Sequence, residues 1–81
     1  MSRVLLLDAD KTHDVFELVE LTETVARVRT AFMYEIGEEM RLHLETDGKT
    51  SEVLARVRAH TGSPGGDKIT ELELIERIDA R

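Results

Sequence analysis

Strict alternation of apolar and charged side chains between Glu39 and Glu45 is the feature that most constrains this chain. Met40, Leu42 and Leu44 point to one side of an extended backbone, and the residues between them point to the other. Successive side chains of a strand lie on opposite faces, so this segment predicts a strand with one buried face. A helix is disfavoured because it would place the charged residues within its own apolar stripe.

Other segments alternate in the same way, and turn signals separate them at short intervals. We predict six strands, at residues 2–7, 15–21, 25–30, 39–45, 51–60 and 68–74. Asp47 and Gly48 give the clearest hairpin signal, because such a pair supplies positive φ at low cost. At most one helical turn follows, at residues 76–81. The pattern favours an all-β fold, a small antiparallel barrel or sandwich.

Residues 51–60 are the one ambiguous segment. They fit a helix with Val53 and Val57 on one face, and they fit a strand with the same two side chains pointing inward. The hairpin turn that precedes them favours the strand. The same alternation predicts that His43 and His60 point to solvent, and the glycine-rich residues 61–67 predict a surface loop.

Chain length and composition limit the classes of protein. At 81 residues the chain predicts a single domain, residues 1–81, with one thin core. Without cysteine it has no disulfide, thiolate metal site or cysteine nucleophile. Its apolar runs are far shorter than the ~20 residues of a membrane-spanning helix, and its N-terminus lacks the pattern of a secretory signal. We therefore expect a cytoplasmic protein without a membrane partner.

Charge and side-chain chemistry argue against nucleic-acid binding and catalysis. The net charge of −6 opposes a polyphosphate unless basic side chains concentrate in one place. One tyrosine and two phenylalanines offer little on which bases stack. The three histidines lie on separate segments without metal-ligand spacing, and no serine or threonine sits in a nucleophile elbow. We expect no enzyme activity, catalytic residue or metal ion.

The middle of the chain resembles a PilZ domain. It contains, in order, an acidic residue, a hydroxyl residue, a short strand, an apolar connection and the segment GEEMRLHL, which fits the pattern G-E-E-x-x-L-x-L. The resemblance covers most of the chain. It implies a six-stranded β-barrel of PilZ type and a place in bacterial cyclic di-GMP signalling, because typical members are receptors for that nucleotide.

The residues at the ligand positions of that family depart from its usual motif. Typical receptors carry an acidic or amide residue, then serine, then glycine, where this chain has Glu20, Thr22 and Val25. Arg27 lies on the strand just beyond, and Arg3 is the only arginine before the first apolar run, where the family has a pair. The resemblance therefore implies a degenerate nucleotide site that lacks its cationic half. A hairpin closed by Glu20 and Thr22 explains those residues equally well.

The resemblance implies a non-catalytic adaptor or regulatory domain that binds a protein partner. Phe32, Met33 and Tyr34 form an apolar connection, and aromatic residues and methionine are enriched at interface hot spots. We favour a barrel plug for the same side chains, because a chain with few large residues needs them inside; exposure would instead favour a partner. Two further possibilities remain: the chain forms a homodimer, or it is a working cyclic di-GMP receptor with a non-standard site.

The start of the chain is similar to a second family. Residues 3–10, RVLLLDAD, resemble the first strand and acidic turn of response-regulator receiver domains. A receiver needs about five alternating strand and helix units of ~20–25 residues, which is more than this chain holds. A solvated hairpin turn is the simpler explanation of Asp8 and Asp10.

Overall fold

The computed structural model describes residues 2–62 and 68–78, and it forms a single sheet. The strands are β1 (Ser2–Asp8), β2 (Lys11–His13), β3 (Glu17–Leu21), β4 (Val25–Arg29), β5 (Glu39–Thr46), β6 (Lys49–Gly62) and β7 (Lys68–Ile78). Their order is β2-β1-β5-β6-β7-β4-β3, and each neighbouring pair is antiparallel. The predicted all-β antiparallel fold is confirmed. None of the described residues belongs to a helix able to cross a membrane, and they do not alternate strands with helices as a receiver does.

The sheet differs from the predicted barrel in strand number and in closure. It has seven strands rather than six, and it stays open between β2 and β3. The additional strand arises because Ala9 and Asp10 adopt φ values of 51° and 67° and turn the chain back along the end of β1. β2 thereby occupies the Leu6–Asp8 part of the β1 edge that closure with β3 would require. β1 and β3 contact each other, but no ladder of backbone pairs joins them.

The C-terminal end of the described chain is extended. Glu76 and Ile78 continue β7, opposite Leu54 and Glu52 of β6, so the helical turn predicted from residue 76 is wrong for residues 76–78. Pairing with an existing strand satisfies their backbone groups, which an isolated helical turn would leave open. Residues 79–81, and residues 63–67 of the predicted loop, lie outside the described residues.

Apolar side chains from five strands and from the segment before β3 meet on the inner face of the curved sheet. The core consists of Val4, Phe16, Ala26, Val28, Met40, Leu42, Leu44, Val53, Ala55, Val57 and Leu72. The predicted inward set of β5 is therefore confirmed, and residues 51–60 form a strand with three buried inward side chains. Burial of each leucine-sized side chain contributes about 1.5–3 kcal/mol, so this layer supplies most of the stability.

Three β-bulges break the alternation that the sequence suggests. The strand register skips one residue at Val19 of β3, at Arg58 of β6 and at Ile75 of β7. A bulged residue has no partner on the neighbouring strand, so the side chains after it change face. Beyond Arg58, His60 lies opposite Thr70 on the inner side, and the prediction that His60 points to solvent is wrong.

Candidate functional site

Four of the residues that the family resemblance singles out lie together. A shallow depression of about 220 Å³ is lined by Glu20, Thr22, Val25, Arg27, Arg58 and Glu71. The β3–β4 hairpin brings the first four together, because Glu20 pairs directly with Arg27 across the two strands. Arg3 does not line this depression. It lies on β1, where its guanidinium is 3.5 Å from carboxylate oxygens of Asp14 and Glu45.

Two carboxylates balance the positive charge of Arg27, the arginine in the middle of the depression. Arg27 Nη1 lies 3.0 Å from Glu20 Oε1, and its Nε lies 3.0 Å from Glu71 Oε2. Arg58 is exposed and has no ion pair with any residue in 2–62 or 68–78. With two arginines and two glutamates, the lining has no formal excess of positive charge for a phosphate. Sequence reasoning missed Arg58 and Glu71, since only the β6–β7 and β4–β7 pairings bring them here.

The hydroxyl of Thr22 closes the β3–β4 hairpin. Its oxygen accepts hydrogen bonds from the backbone N–H groups of Val25 and Thr24, at 3.1 and 3.3 Å. The same hydroxyl donates to the Val25 carbonyl oxygen at 3.3 Å. A ligand that contacted this hydroxyl would have to replace hydrogen bonds that hold the turn. This is the geometry that the hairpin explanation of Thr22 predicts.

The connection between β4 and β5, residues 30–38, exposes large apolar side chains. Phe32, Met33 and Ile36 are 56%, 65% and 67% exposed, and they make up three of the five exposed large apolar residues in the described chain. We call these three residues the apolar patch. The favoured explanation, a core plug, is wrong for Phe32 and Met33. It fits Tyr34, whose ring is partly buried and 6.0 Å from the buried Phe16 ring.

Hydrogen bonds fix the connection to β6 on both sides of Ile36. The Gly37 N–H donates to the Val57 carbonyl, and the Val57 N–H donates to the Glu38 carbonyl, both at 2.8 Å. His60 Nε2 lies 2.7 Å from the Tyr34 carbonyl oxygen. These bonds hold the backbone of the connection, so the apolar patch is presented without prior ordering of a loop.

The position of His60 defines its hydrogen-bonding roles. Because a carbonyl only accepts, Nε2 carries the hydrogen that is donated to Tyr34. In the neutral ring Nδ1 then accepts from the Thr70 hydroxyl, 3.2 Å away, and this pairing satisfies a side chain that is only 3% exposed. The bulge at Arg58 turns His60 toward these partners, which is why the alternation pattern did not reveal them.

Two glutamates lie close to members of the apolar patch in the sequence. Glu35 and Glu38 are exposed, and the Glu38 carboxylate accepts a hydrogen bond from the Glu35 N–H at 3.1 Å. Burial raises the pKa of the Tyr34 phenol, and the Glu38 carboxylate raises that pKa further. The Tyr34 phenol is therefore partly buried and close to a negative charge.

Within the described residues, no three histidine, aspartate or glutamate side chains are grouped so that they could hold a metal ion. The arrangement offers surfaces for contact: a charge-balanced depression and a tethered apolar patch. Comparison of the chain with models of protein families, with curated proteins and with solved structures found no match in any of the three.

Proposed function

We propose that this chain is a non-catalytic adaptor of PilZ type that binds a protein partner through the apolar patch. The observation that carries the proposal is the exposure of Phe32, Met33 and Ile36, each by more than half, on one short connection. Single exposed apolar residues scattered over a surface are ordinary, whereas three within residues 32–36 of one connection favour a contact surface. The resemblance to PilZ domains adds a context, regulation in bacterial cyclic di-GMP signalling without a nucleotide of its own.

The tethering of the connection strengthens this proposal. Full burial of a phenylalanine, methionine or isoleucine is worth about 1.5–3 kcal/mol each, and part of that gain is lost when a loop must first be ordered. Here the hydrogen bonds from Gly37 and His60 already hold the backbone in place. The patch is therefore suited to act as a small hot spot for a partner.

Substitution of the patch tests the proposal. A photoreactive residue at position 33 is expected to cross-link the partner in cells, whereas the same residue at position 75 is not. Once the partner is identified, calorimetry with the double variant Phe32→Ser, Ile36→Ser should show at least a tenfold loss of affinity, because two apolar anchors are removed. Thermal unfolding should change little, since both side chains are exposed.

Ile75→Ser is the matched control, because Ile75 is a 41% exposed apolar residue on β7, outside the patch. Its affinity for the partner should equal that of the unchanged chain. Equal binding by the double variant would contradict the proposal and move the contact to another face.

A cyclic di-GMP receptor with a non-standard site is the second candidate. The exposed Arg58 favours it, because a guanidinium without an ion pair in the described chain is available for a phosphate. The neighbouring Glu20 carboxylate has the chemistry to accept hydrogen bonds from a guanine edge. Against it stands the balanced charge of the depression.

Calorimetry with cyclic di-GMP, at low and at physiological salt, separates the two candidates. Under the adaptor proposal we expect no saturable heat from the folded chain. Saturable binding that Arg58→Gln abolishes and Arg77→Gln preserves would support the receptor instead. Arg77 is a suitable control because it is exposed and does not line this depression.

A further inference from the structure

We infer that the apolar patch receives a partner segment in which large apolar side chains stand beside lysine or arginine. This inference rests on the proposed function and names the chemistry of its partner. The observation behind it is that residues 30–38 contain two glutamates and no basic residue. A partner that covers Phe32, Met33 and Ile36 must bring its own charges close to those glutamates.

The two glutamates differ from most of the carboxylates around them. On the strands, Glu17 and Glu39 pair with Arg29 and Arg56, at 3.3 and 3.0 Å. Neither Glu35 nor Glu38 makes an ion pair with a described residue. Two hydrogen bonds join them: the Glu38 carboxylate accepts from the Glu35 N–H at 3.1 Å, and the Glu38 N–H donates to the Glu35 carbonyl at 3.0 Å. Both negative charges are therefore available to a partner.

Of the basic side chains on β6 next to the connection, Arg56 pairs with Glu39 at 3.0 Å, and Arg58 adds one positive charge. Lys68 and Arg29 lie near the start of the connection, where they line a depression together with Ala31. Asp14 and Glu17 line the same depression, so its formal charges balance. Burial is the larger cause of the raised pKa of Tyr34, and the Glu38 carboxylate raises that pKa further. Since Glu35 and Glu38 outnumber Arg58, the balance of formal charge beside the patch is negative.

Charge also decides against two other occupants of the patch. A second copy of this chain would bring a net charge of −6 and its own Glu35 and Glu38 toward the same residues, since a two-fold interface places one surface against itself. An anionic lipid surface would be repelled by the same two carboxylates. A segment that carries both apolar and basic side chains complements the exposed apolar residues and the two glutamates beside them.

Three synthetic peptide libraries provide the test. All share a randomised apolar centre of leucine, isoleucine, methionine, phenylalanine and tryptophan, and they differ in fixed flanks of lysine, glutamine or glutamate. Selection on the immobilised full chain is expected to enrich lysine-flanked peptides.

The double variant Phe32→Ser, Ile36→Ser should not retain these lysine-flanked peptides. Glu35→Gln, Glu38→Gln should weaken them about 3- to 10-fold, as expected for two exposed ion pairs, and should reduce their salt dependence.

The matched control is Glu23→Gln, Glu76→Gln, which removes two exposed carboxylates elsewhere on the surface. It should bind lysine-flanked peptides as the unchanged chain does. Any effect as large as that of the Glu35 and Glu38 variant would mean that net charge alone attracts the peptides, and would overturn the inference.

The outcomes separate this inference from the proposed function. Equal enrichment of all three libraries, with binding still dependent on Phe32 and Ile36, would refute the basic preference and leave the binding surface standing. If the enriched peptides bind the Phe32→Ser, Ile36→Ser variant as tightly as the original chain, both the inference and the proposed function are refuted. The absence of any enrichment would also refute both.

Sedimentation equilibrium and co-sedimentation with phosphatidylcholine and phosphatidylglycerol vesicles complete the test. A dimer or a vesicle complex that the patch variant abolishes would assign the patch to a second copy or a bilayer and overturn the inference.

Discussion

Replacement of Leu42 by alanine is expected to unfold a large part of the protein at room temperature. Leu42 lies in the middle of β5, is 0% exposed and packs in the centre of the core. A buried leucine-to-alanine change costs about 2–5 kcal/mol, through the lost burial and the cavity that remains. A core of this size rarely supplies more than about 3–5 kcal/mol of net stability. Urea unfolding followed by circular dichroism measures the difference in the free energy of unfolding.

Ile36→Ala is the control for this experiment. It removes the same number of carbon atoms from a side chain that is 67% exposed, and its effect should stay within about 0.5 kcal/mol. A loss below about 1 kcal/mol for Leu42→Ala would contradict the position of the core. A loss above that value for Ile36→Ala would mean that Ile36 is buried, and the apolar patch would lose one of its members.

Replacement of His60 by alanine is expected to destabilise the protein by about 1–3 kcal/mol, because two buried or half-buried polar partners lose their hydrogen bonds. Those partners are the Tyr34 carbonyl and the Thr70 hydroxyl. The change should also loosen the connection and expose the Tyr34 ring. Because burial raises the Tyr34 pKa, we expect that pKa to fall toward its ordinary value.

Both effects are measurable on the same sample. Tyr34 is the only tyrosine and the chain has no tryptophan, so ultraviolet titration of the phenol reports this residue alone. His13→Ala is the control, because His13 is exposed on β2 and, within the described residues, makes no hydrogen bond with the connection. An unchanged Tyr34 pKa in His60→Ala would show that the remaining hydrogen bonds hold the connection without the histidine.

Local patterns predicted the parts of the fold that depend on neighbours in sequence. Alternation located the strands that carry Leu42 and Val57, since the pleat of a strand fixes side-chain direction from one residue to the next. The Asp47-Gly48 turn followed from the same kind of local chemistry: both residues adopt positive φ, 50° and 81°, and Thr46 pairs directly with Lys49. The cluster of Glu20 and Arg27 needed only the hairpin register between adjacent strands.

Features that depend on strands distant in sequence could not be predicted from the sequence. A bulge such as that at Arg58 arises where the partner strand is one residue shorter, and its position is not visible in the bulged strand itself. For that reason the sequence pattern predicted the wrong orientation for His60 and did not predict that Arg58 lies beside Glu71. β2 was missed because its three exposed residues show no apolar alternation. Ile36 was passed over because nothing local separates an exposed isoleucine from a buried one.

The bulges also bear on how the gene can change in length. In a regular strand, the loss of one codon turns every later side chain to the opposite face. At Arg58 it would not, because residues on both sides of the bulge are already paired in their final register. Deletion of that codon would remove from the depression a guanidinium that has no ion pair with the described residues, and would leave His60 opposite Thr70. The codons for Val19, Arg58 and Ile75 are therefore the places within these strands where a lineage can shorten the protein and keep its sheet.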